Sequence, residues 1–316
     1  PEVVVLTADL TNSCEVGKWR DTYPSRYFSM GMAEQNMLGV AAGMAREGFE
    51  PWLHTFAVFL YRRPLDQLQM SIAYPALKVR LVGFLPGIMT PGGVTHQAIE
   101  DLAIMRSIPN MTILEVGDAT EAESMLDVAH AIDGPVYIRQ LRGEVSRIFP
   151  KDEPMEFNKA RVLSQGDDIT LITSGIMTEE ALRAIPLIQE RGVSVQHLHV
   201  STIKPFDDPQ VIKAVTSAKK GVVTMENHTV VGGVGSAVAE LMAEHGSTAP
   251  LRRIGVRDTY AHGASQKYLM AELGLNADAL VSAVEELVGK SLEIDPDALA
   301  AARVVDVHST AKAEAL

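Results

Sequence analysis

The chain has 316 residues, 47% of them hydrophobic and 22% charged, and its net charge is −12 at pH 7. This length and composition are typical of a soluble globular protein with two domains, and the acidic charge argues against nucleic acid or an acidic membrane as the main partner. No apolar run reaches membrane-spanning length, no signal sequence opens the chain, and the single cysteine, Cys14, forms no intrachain disulfide, so we expect a cytoplasmic protein.

The first half of the chain alternates short apolar runs with longer helical patterns. Runs rich in Val, Ile and Leu predict buried strands at Val3–Leu6, Lys78–Gly83, Met111–Glu115 and Val136–Arg139. Helical patterns lie between them at Glu34–Arg46, Pro64–Tyr74, Gln97–Arg106 and Thr120–Ala131. This order predicts a parallel, doubly wound β/α domain over residues 1–148.

A second β/α series follows. Its predicted strands are Ile169–Ser174, Ser194–His199, Lys220–Glu226 and Leu251–Val256, and its predicted helices are Glu179–Arg191, Pro209–Ala218, Gly235–His245 and Asp278–Leu287. Residues 149–165 contain two prolines and little periodicity, which indicates a linker, so the second domain is expected over residues 166–290. Residues 291–316 are Ala-rich and predict a tail, either a terminal helix or a frayed end. The expected fold class is therefore α/β, with two consecutive doubly wound β/α domains.

Glu34 begins an otherwise small and apolar segment that contains no basic residue before Arg46. Burying an unpartnered charge costs several kcal/mol, so such a group takes up a proton or finds a ligand. The alternative is a partly solvated carboxylate at a helix start, where the helix macrodipole favours it. This segment alone leaves both interpretations open.

Two phenylalanines, Phe56 and Phe59, follow three positions apart and can lie on one face. They are expected either to pack in the core or to stack on a flat heteroaromatic ring. Arg62 and Arg63 come next, and adjacent arginines at a predicted helix start are more typical of a solvated surface than of an anion site.

A glycine-rich loop, residues 91–93, leads through Thr95 and His96 into a predicted helix. Glycines let the backbone approach a ligand closely, and a helix N-terminus offers free N–H groups. Histidine exchanges protons near neutral pH, so His96 is a candidate site residue. Arg142 lies just after a predicted strand, where ligands bind in open α/β sheets, and either holds an anion or forms a surface salt bridge.

Together these segments resemble the pyrimidine-binding and C-terminal domains of the transketolase family, whose relatives include 1-deoxyxylulose-5-phosphate synthase. The motifs that carry the resemblance are Thr7–Ser13, Gly31–Met37, Thr55–Phe59, Thr95–Gln97, Ser107–Met111, Ser201–Asp207 and Glu226–His228 before Gly232-Gly233. Each motif is short, but their order and spacing extend over nearly the whole chain.

The resemblance implies that the chain binds thiamine diphosphate. Glu34 corresponds to the glutamate that hydrogen-bonds N1′ of the cofactor's aminopyrimidine and activates it. Phe59, with Phe56 nearby, corresponds to the aromatic residues that pack on that ring. Asp9 corresponds to an aspartate near the cofactor at the subunit interface.

The same resemblance implies a site for small sugars. His96 corresponds to a histidine that contacts the substrate carbonyl or hydroxyl, and Ser13 and Arg142 correspond to residues that bind a sugar-phosphate tail. The implied activity is transfer of a two-carbon ketol unit from a ketose, phosphorylated or otherwise anionic, to an aldose.

One half of the family's site has no counterpart in this sequence. Thiamine diphosphate enzymes hold the diphosphate and its Mg²⁺ or Ca²⁺ with a Gly-Asp-Gly motif and a later Asn, and no Gly-Asp-Gly occurs here. This chain is therefore expected to supply no metal ligand. The resemblance implies a split transketolase, in which an N-terminal, diphosphate-binding subunit holds the metal and the two kinds of chain form a heterotetramer.

Two departures from the family pattern concern the substrate. Gly92 replaces an aspartate that reads a substrate hydroxyl, and residues 83–86 lack the histidine that precedes the loop in the family. Both changes make the donor pocket less polar and predict an unusual or modified ketose. Arg62, or its neighbour Arg63, is a candidate to compensate by holding an anionic group.

Three other functions stay open. The β subunit of a 2-oxo acid dehydrogenase supplies the same glutamate and also lacks the diphosphate motif, although Thr95–Gln97 and Ser107–Met111 favour the transketolase side. Half of a 1-deoxyxylulose-5-phosphate synthase-like enzyme is the second alternative. A non-catalytic assembly partner is the third, and the joint presence of Glu34, Phe59 and His96 argues against it.

Overall fold

Two open sheets of seven and five strands organise the computed structural model, which describes residues 2–302 and 304. Helices pack on both sheets, so the predicted α/β class with two β/α domains is confirmed. Every helix among the described residues is too short or too polar to cross a lipid bilayer.

The first half of the chain supplies six strands. They are β1 (Val3–Thr7), β2 (Tyr27–Ser29), β3 (Glu50–Phe56), β4 (Arg80–Phe84), β5 (Thr112–Glu115) and β6 (Val136–Gln140). The helices between them are α1 (Gly17–Thr22), a 3-10 turn (Pro24–Arg26), α2 (Glu34–Arg46), α3 (Ala57–Tyr61), a π-helix (Gln67–Ala73), α4 (Asp101–Ser107) and α5 (Ala119–Ala131).

Within the described residues, the second half supplies six more strands and six helices. The strands are β7 (Arg161–Ser164), β8 (Ile169–Thr173), β9 (Val195–His199), β10 (Thr202–Lys204), β11 (Gly221–Thr229) and β12 (Leu251–Val256). The helices are α6 (Met177–Glu190), α7 (Pro209–Ser217), α8 (Val234–Glu244), α9 (Gln266–Glu272), α10 (Ala277–Val288) and α11 (Pro296–Ala301).

Both sheets are parallel except at one edge. The first has the order β10-β5-β6-β4-β3-β1-β2, and the second has the order β12-β11-β8-β9-β7. β10 pairs antiparallel with β5, and β7 pairs antiparallel with β9. The sequence predicted neither antiparallel strand, because runs of three or four residues show too little alternation to be recognised. β10 comes from the second half of the chain, so that half completes the first sheet.

Several predicted elements have different bounds in the structure. The helix expected from Gln97 begins at Asp101, because backbone hydrogen bonds between Gly87 and Ala98 hold the preceding residues in an extended bridge. The helix expected at Pro64–Tyr74 is the π-helix. β7 lies in the segment predicted as a linker, and α11 lies in the predicted tail, whose residues 303 and 305–316 are outside the described part of the chain.

A buried arginine on β6, Arg139, joins the two domains. Its guanidinium pairs with Asp101 on α4, at 2.8 Å from Nε to Oδ2, and with Glu115 on β5. It also donates a 3.0 Å hydrogen bond to the backbone carbonyl of Asn227 on β11. All three charged side chains are buried, and removing one member of a buried ion cluster leaves an uncompensated charge.

The motif Glu226-Asn227-His228 on β11 holds the same interface. Asn227 Oδ1 accepts a hydrogen bond from the backbone N–H of Ile88, and its amide donates to the carbonyl of Pro86. Nδ1 of His228 lies 2.6 Å from the carbonyl oxygen of Thr229, and Nε2 lies 3.3 Å from the backbone nitrogen of Ala103. Because a carbonyl can only accept and an N–H can only donate, we assign a neutral ring with its proton on Nδ1. The motif therefore clamps β11 of the second domain against loops and helix α4 of the first.

We predict that acid lowers the stability of the folded protein through His228. Burial lowers the pKa of His228 to about 4, although Asp101 lies nearby. The unfolded chain, with an ordinary histidine pKa of about 6.5, binds more protons below that pH, so the free energy of unfolding falls as the pH drops from about 6.5 to 4. Between pH 7 and pH 5 this group is expected to cost about 2 kcal/mol, measured by urea unfolding. In the variant His228→Gln, the free energy of unfolding should fall by about 2 kcal/mol less between pH 7 and pH 5 than in the unmodified protein. An equal fall in both proteins would contradict the assignment of His228 as a buried, neutral histidine.

Candidate active site

Glu34 lies at the N-terminus of α2, where the chain turns out of β2. Gly31, whose φ of 68° is in the left-handed region, allows that turn. Buried residues spaced three and four apart fix one face of α2 against the sheet, namely Met37, Leu38, Ala41 and Ala42. Glu34 is 3% exposed, so the helix holds its carboxylate in the protein rather than in solvent.

Arg63 is the partner of this carboxylate. Its Nη1 lies 2.7 Å from Oε1 of Glu34, so the partner comes from outside the apolar segment around Glu34. The guanidinium also lies over the ring of Phe59, with Cζ 4.1 Å from the ring centroid. One planar cation therefore contacts both the buried carboxylate and an aromatic face.

Three rings form the rest of this cluster. Phe56 ends β3 and Phe59 lies on α3, and their centroids are 6.1 Å apart with 28° between the planes. His96 points an edge at both, at 5.5 Å from Phe59 and 6.2 Å from Phe56. Phe56 is buried, whereas Phe59 and His96 are only partly covered. The structure thus places Glu34, Phe56, Phe59 and His96 in one cluster, with Arg63 between Glu34 and Phe59.

The parallel sheet explains why these residues meet. The loops after β1, β3, β4 and β6 all leave the carboxyl edge of the first sheet, because these strands run in one direction. Ligands of open α/β sheets bind at this edge. Phe56 and Phe59 follow β3, and the loop that carries His96 follows β4, the neighbouring strand.

Gly92 permits the observed position of His96. A Cβ atom at Gly92 would lie 3.2 Å from both Cβ and Cγ of His96 and 3.3 Å from Thr90 Oγ1. Any side chain at this position would therefore press on the imidazole. The ring is held on its other side by Thr95, whose Oγ1 lies 2.9 Å from His96 Nδ1.

Asp9, Ser13 and Arg142 lie in two other loops of the same edge. Asp9 follows β1 and is exposed, with a left-handed φ of 60°. The loop that contains Ser13 is joined to the loop after β6 by a 2.9 Å hydrogen bond from the N–H of Gly143 to Glu15. Burial raises the pKa of the Cys14 thiol to about 12, and the charge of Arg142 opposes that shift, so Arg142 lies close to this loop.

Arg62 supports the loop of His96. Its Nη2 lies 2.7 Å from Glu100 Oε1, and its guanidinium donates to the carbonyls of Val94 and Gln97. Its predicted role in substrate binding stays a prediction. The sequence suggested Arg63 only as the alternative to Arg62 for holding an anionic group. Its contact with Phe59 could have been found, because the two residues are four positions apart, a spacing that lets side chains meet across one helical turn.

The described residues contain no group of three His, Cys, Asp or Glu side chains that could hold a metal ion. The candidate site comprises a buried carboxylate, an aromatic face, an imidazole and the loops that carry Ser13 and Arg142.

Comparisons with known proteins match both halves of the chain to one family. The family profile of the transketolase pyrimidine-binding domain matches residues 1–147, and that of the transketolase C-terminal domain matches residues 158–280. The 6-deoxy-6-sulfo-D-fructose transketolase subunit SqwH of Clostridium sp. is 41% identical over 287 residues, which cover 90% of this chain and 88% of that protein. A putative transketolase C-terminal section of Methanocaldococcus jannaschii is 35% identical over 91% of both chains.

Longer relatives match through part of their length. The 1-deoxy-D-xylulose-5-phosphate synthase of Symbiobacterium thermophilum is 33% identical, and this chain covers 44% of it. Among solved structures, a split-gene transketolase described as an inactive β4 tetramer superposes with a TM-score of 0.83 at 38% identity, covering 92% of this chain and 93% of that one. The transketolase of Campylobacter jejuni, at 18% identity and a TM-score of 0.76, shares the fold over 92% of this chain and 44% of its own.

We predict that a methyl group at position 92 moves the imidazole of His96. In Gly92→Ala the added Cβ would crowd His96, and the ring would shift relative to the faces of Phe56 and Phe59. The NMR shifts of the His96 ring protons, which depend on those aromatic faces, should change measurably. Gly39→Ala is the matched control, because a Cβ there meets nothing within 4 Å. Equal spectra for both variants would refute the contact.

Proposed function

This chain belongs to the transketolase family of transferases, and from that premise we propose that it is the small subunit of a split, thiamine diphosphate-dependent transketolase. In this proposal it transfers a two-carbon ketol unit from a ketose to an aldose, with Glu34 activating the cofactor.

The observation that carries the proposal is the pairing of a buried carboxylate with an aromatic face. Glu34 is buried, and Arg63 makes a 2.7 Å contact with it while its planar group lies 4.1 Å from the centroid of Phe59. A planar ring with a polar edge could make both contacts in the same way. An aminopyrimidine is such a group, so the donor set fits thiamine diphosphate.

Each side chain would have a distinct task. Thiamine diphosphate, when bound, supplies a nucleophilic carbon and an electron sink. Glu34 would share a proton with N1′ of the aminopyrimidine, and Phe59 and Phe56 would pack on the ring and keep water away. His96 would donate or accept a hydrogen bond at a sugar hydroxyl. Its Nδ1 contacts Thr95, but the ring is only partly covered and so stays accessible to a substrate. Asp9 would lie near the cofactor at the subunit interface.

A partner subunit would complete the site. This chain carries no Gly-Asp-Gly motif, and its described residues contain no metal-binding group. We propose that an N-terminal transketolase subunit holds the diphosphate with Mg²⁺ or Ca²⁺, and that two copies of each chain form a heterotetramer. The match to a relative described as a β4 tetramer supports self-association of this chain.

The substrate is proposed to be an anionic ketose. Ser13 and Arg142 lie on adjacent loops of the site edge and would bind a charged tail, since an arginine fork matches phosphate or sulfonate oxygens. In the family pattern an aspartate that reads a substrate hydroxyl stands where this chain has Gly92, so this chain has no side chain at that position. A relative named for 6-deoxy-6-sulfo-D-fructose supports a modified sugar. The acidic chain with one buried cysteine supports a cytoplasmic enzyme without nucleic acid or membrane partners.

A synthase of the 1-deoxyxylulose-5-phosphate type is the second candidate. The 33% identity to such an enzyme over 292 residues favours it. Its donor would be a 2-oxo acid rather than a ketose, so the choice of donor separates the two candidates.

Reconstitution tests the proposal directly. This chain would be mixed with a Gly-Asp-Gly subunit from the same organism, thiamine diphosphate and Mg²⁺, and supplied with ketose 6-phosphates, 6-sulfonates, neutral ketoses or pyruvate. We expect that only the mixture of both subunits transfers a ketol unit from an anionic ketose to an aldose. Transfer by this chain without the partner would refute the split site, and turnover of pyruvate alone would favour the synthase.

We predict that Glu34→Gln lowers kcat of the reconstituted complex at least ~100-fold, because an amide cannot exchange a proton with N1′. The loss would be measured at saturating sugar and cofactor. Glu47→Gln, an exposed carboxylate at the other end of α2, removes the same charge and is the matched control. Unchanged activity in Glu34→Gln would favour a purely structural subunit.

A further inference from the structure

Arg63 occupies the space between the two groups that the proposed cofactor needs. Its Nη1 is 2.7 Å from Glu34, and its Cζ is 4.1 Å from the Phe59 centroid. Carbon atoms in contact are separated by about 3.5–4 Å, so a second planar group on this part of the Phe59 face would fall on the same atoms. The guanidinium and an aminopyrimidine exclude each other here.

The two groups are also chemically alike. A guanidinium is planar and delocalised, stacks on aromatic faces, and donates N–H groups from its edge to a carboxylate. An aminopyrimidine held by Glu34 and Phe59 would stack with the same face and meet the same carboxylate. Arg63 therefore makes the contacts with the carboxylate of Glu34 and the ring of Phe59 that the cofactor would otherwise make.

We propose that the side chain of Arg63 fills the aminopyrimidine pocket when the cofactor is absent, and that the cofactor must displace it in order to bind. We call this side chain the plug of the pocket. This inference rests on the proposed function. Arg63 holds the pocket in the free subunit and in the assembled complex until thiamine diphosphate enters. The pocket is therefore preformed but closed, rather than open and filled with water.

The backbone allows Arg63 to leave through side-chain rotation alone. The amide of Gln35 donates a 3.1 Å hydrogen bond to the carbonyl of Arg63, and Pro64, with its fixed φ, follows directly. The side chain itself is 50% exposed, so its departure uncovers little core. A fixed main chain with a half-exposed side chain is suited to a swinging motion.

Displacement would also free the carboxylate of Glu34. While Arg63 is in place, its Nη1 lies 2.7 Å from Oε1 of that carboxylate. Once the guanidinium leaves, the same carboxylate is available to hydrogen-bond N1′ of the aminopyrimidine. Exchange of Arg63 for the cofactor thus makes Glu34 available for its proposed role only when the cofactor is present.

The test is calorimetric titration of thiamine diphosphate into the reconstituted complex with Mg²⁺. Arg63→Ala removes the plug and should lower the Kd about three- to tenfold, because a half-exposed ion pair and a cation–π contact no longer compete. Arg63→Lys keeps the charge without the planar fork and should fall between Arg63→Ala and the unmodified chain. Arg46→Ala, at the exposed end of α2, removes an equal charge and should leave the Kd unchanged.

Each result supports or overturns the inference. An equal or higher Kd for Arg63→Ala than for the unmodified complex would overturn it, since a higher value would make Arg63 a cofactor contact. Failure of the unmodified complex to bind thiamine diphosphate would instead overturn the proposed function. If Arg63→Ala fails to fold, Arg63→Lys is compared with Arg46→Ala: a lower Kd for Arg63→Lys supports the plug, and an equal or higher Kd overturns it.

Discussion

The buried cluster around Arg139 is the interaction on which the site edge depends. Arg139 leaves β6 and joins α4 through Asp101, β5 through Glu115 and β11 through a main-chain carbonyl. These contacts fix the carboxyl ends of the central strands relative to the second domain. Because charges in such a cluster are costly to separate, the cluster makes the carboxyl edge of the first sheet, which carries Phe56 and His96, rigid.

The sequence predicted much of this fold because its strands and helices are long and periodic. Glu34, Phe59 and His96 were identifiable through short motifs in a fixed order, and the structure brings them together. The pairing of β10 with β5 and the contact of Arg63 with Glu34 were not identifiable. Both join segments that are far apart in the chain, and no local pattern records such pairs.

The motif Glu226-Asn227-His228 shows how a family signature can be structural. Its asparagine and histidine satisfy main-chain groups of the first domain, and its glutamate accepts hydrogen bonds from the N–H groups of Val234 and Gly235 at the start of α8. Burial raises the pKa of Glu226 to about 8, so the group is neutral over much of the physiological range. The hydrogen bonds of the motif thus serve domain assembly.

Strand β10 has a consequence for how genes of this kind can be divided. It belongs to the second half of the chain by sequence and to the first sheet by hydrogen bonding. A break between the halves would strip β5 of its outer neighbour and expose an unpaired edge, which invites aggregation. We therefore expect the two halves to be inherited as one piece, with gene fission or domain shuffling confined to positions outside their shared sheet.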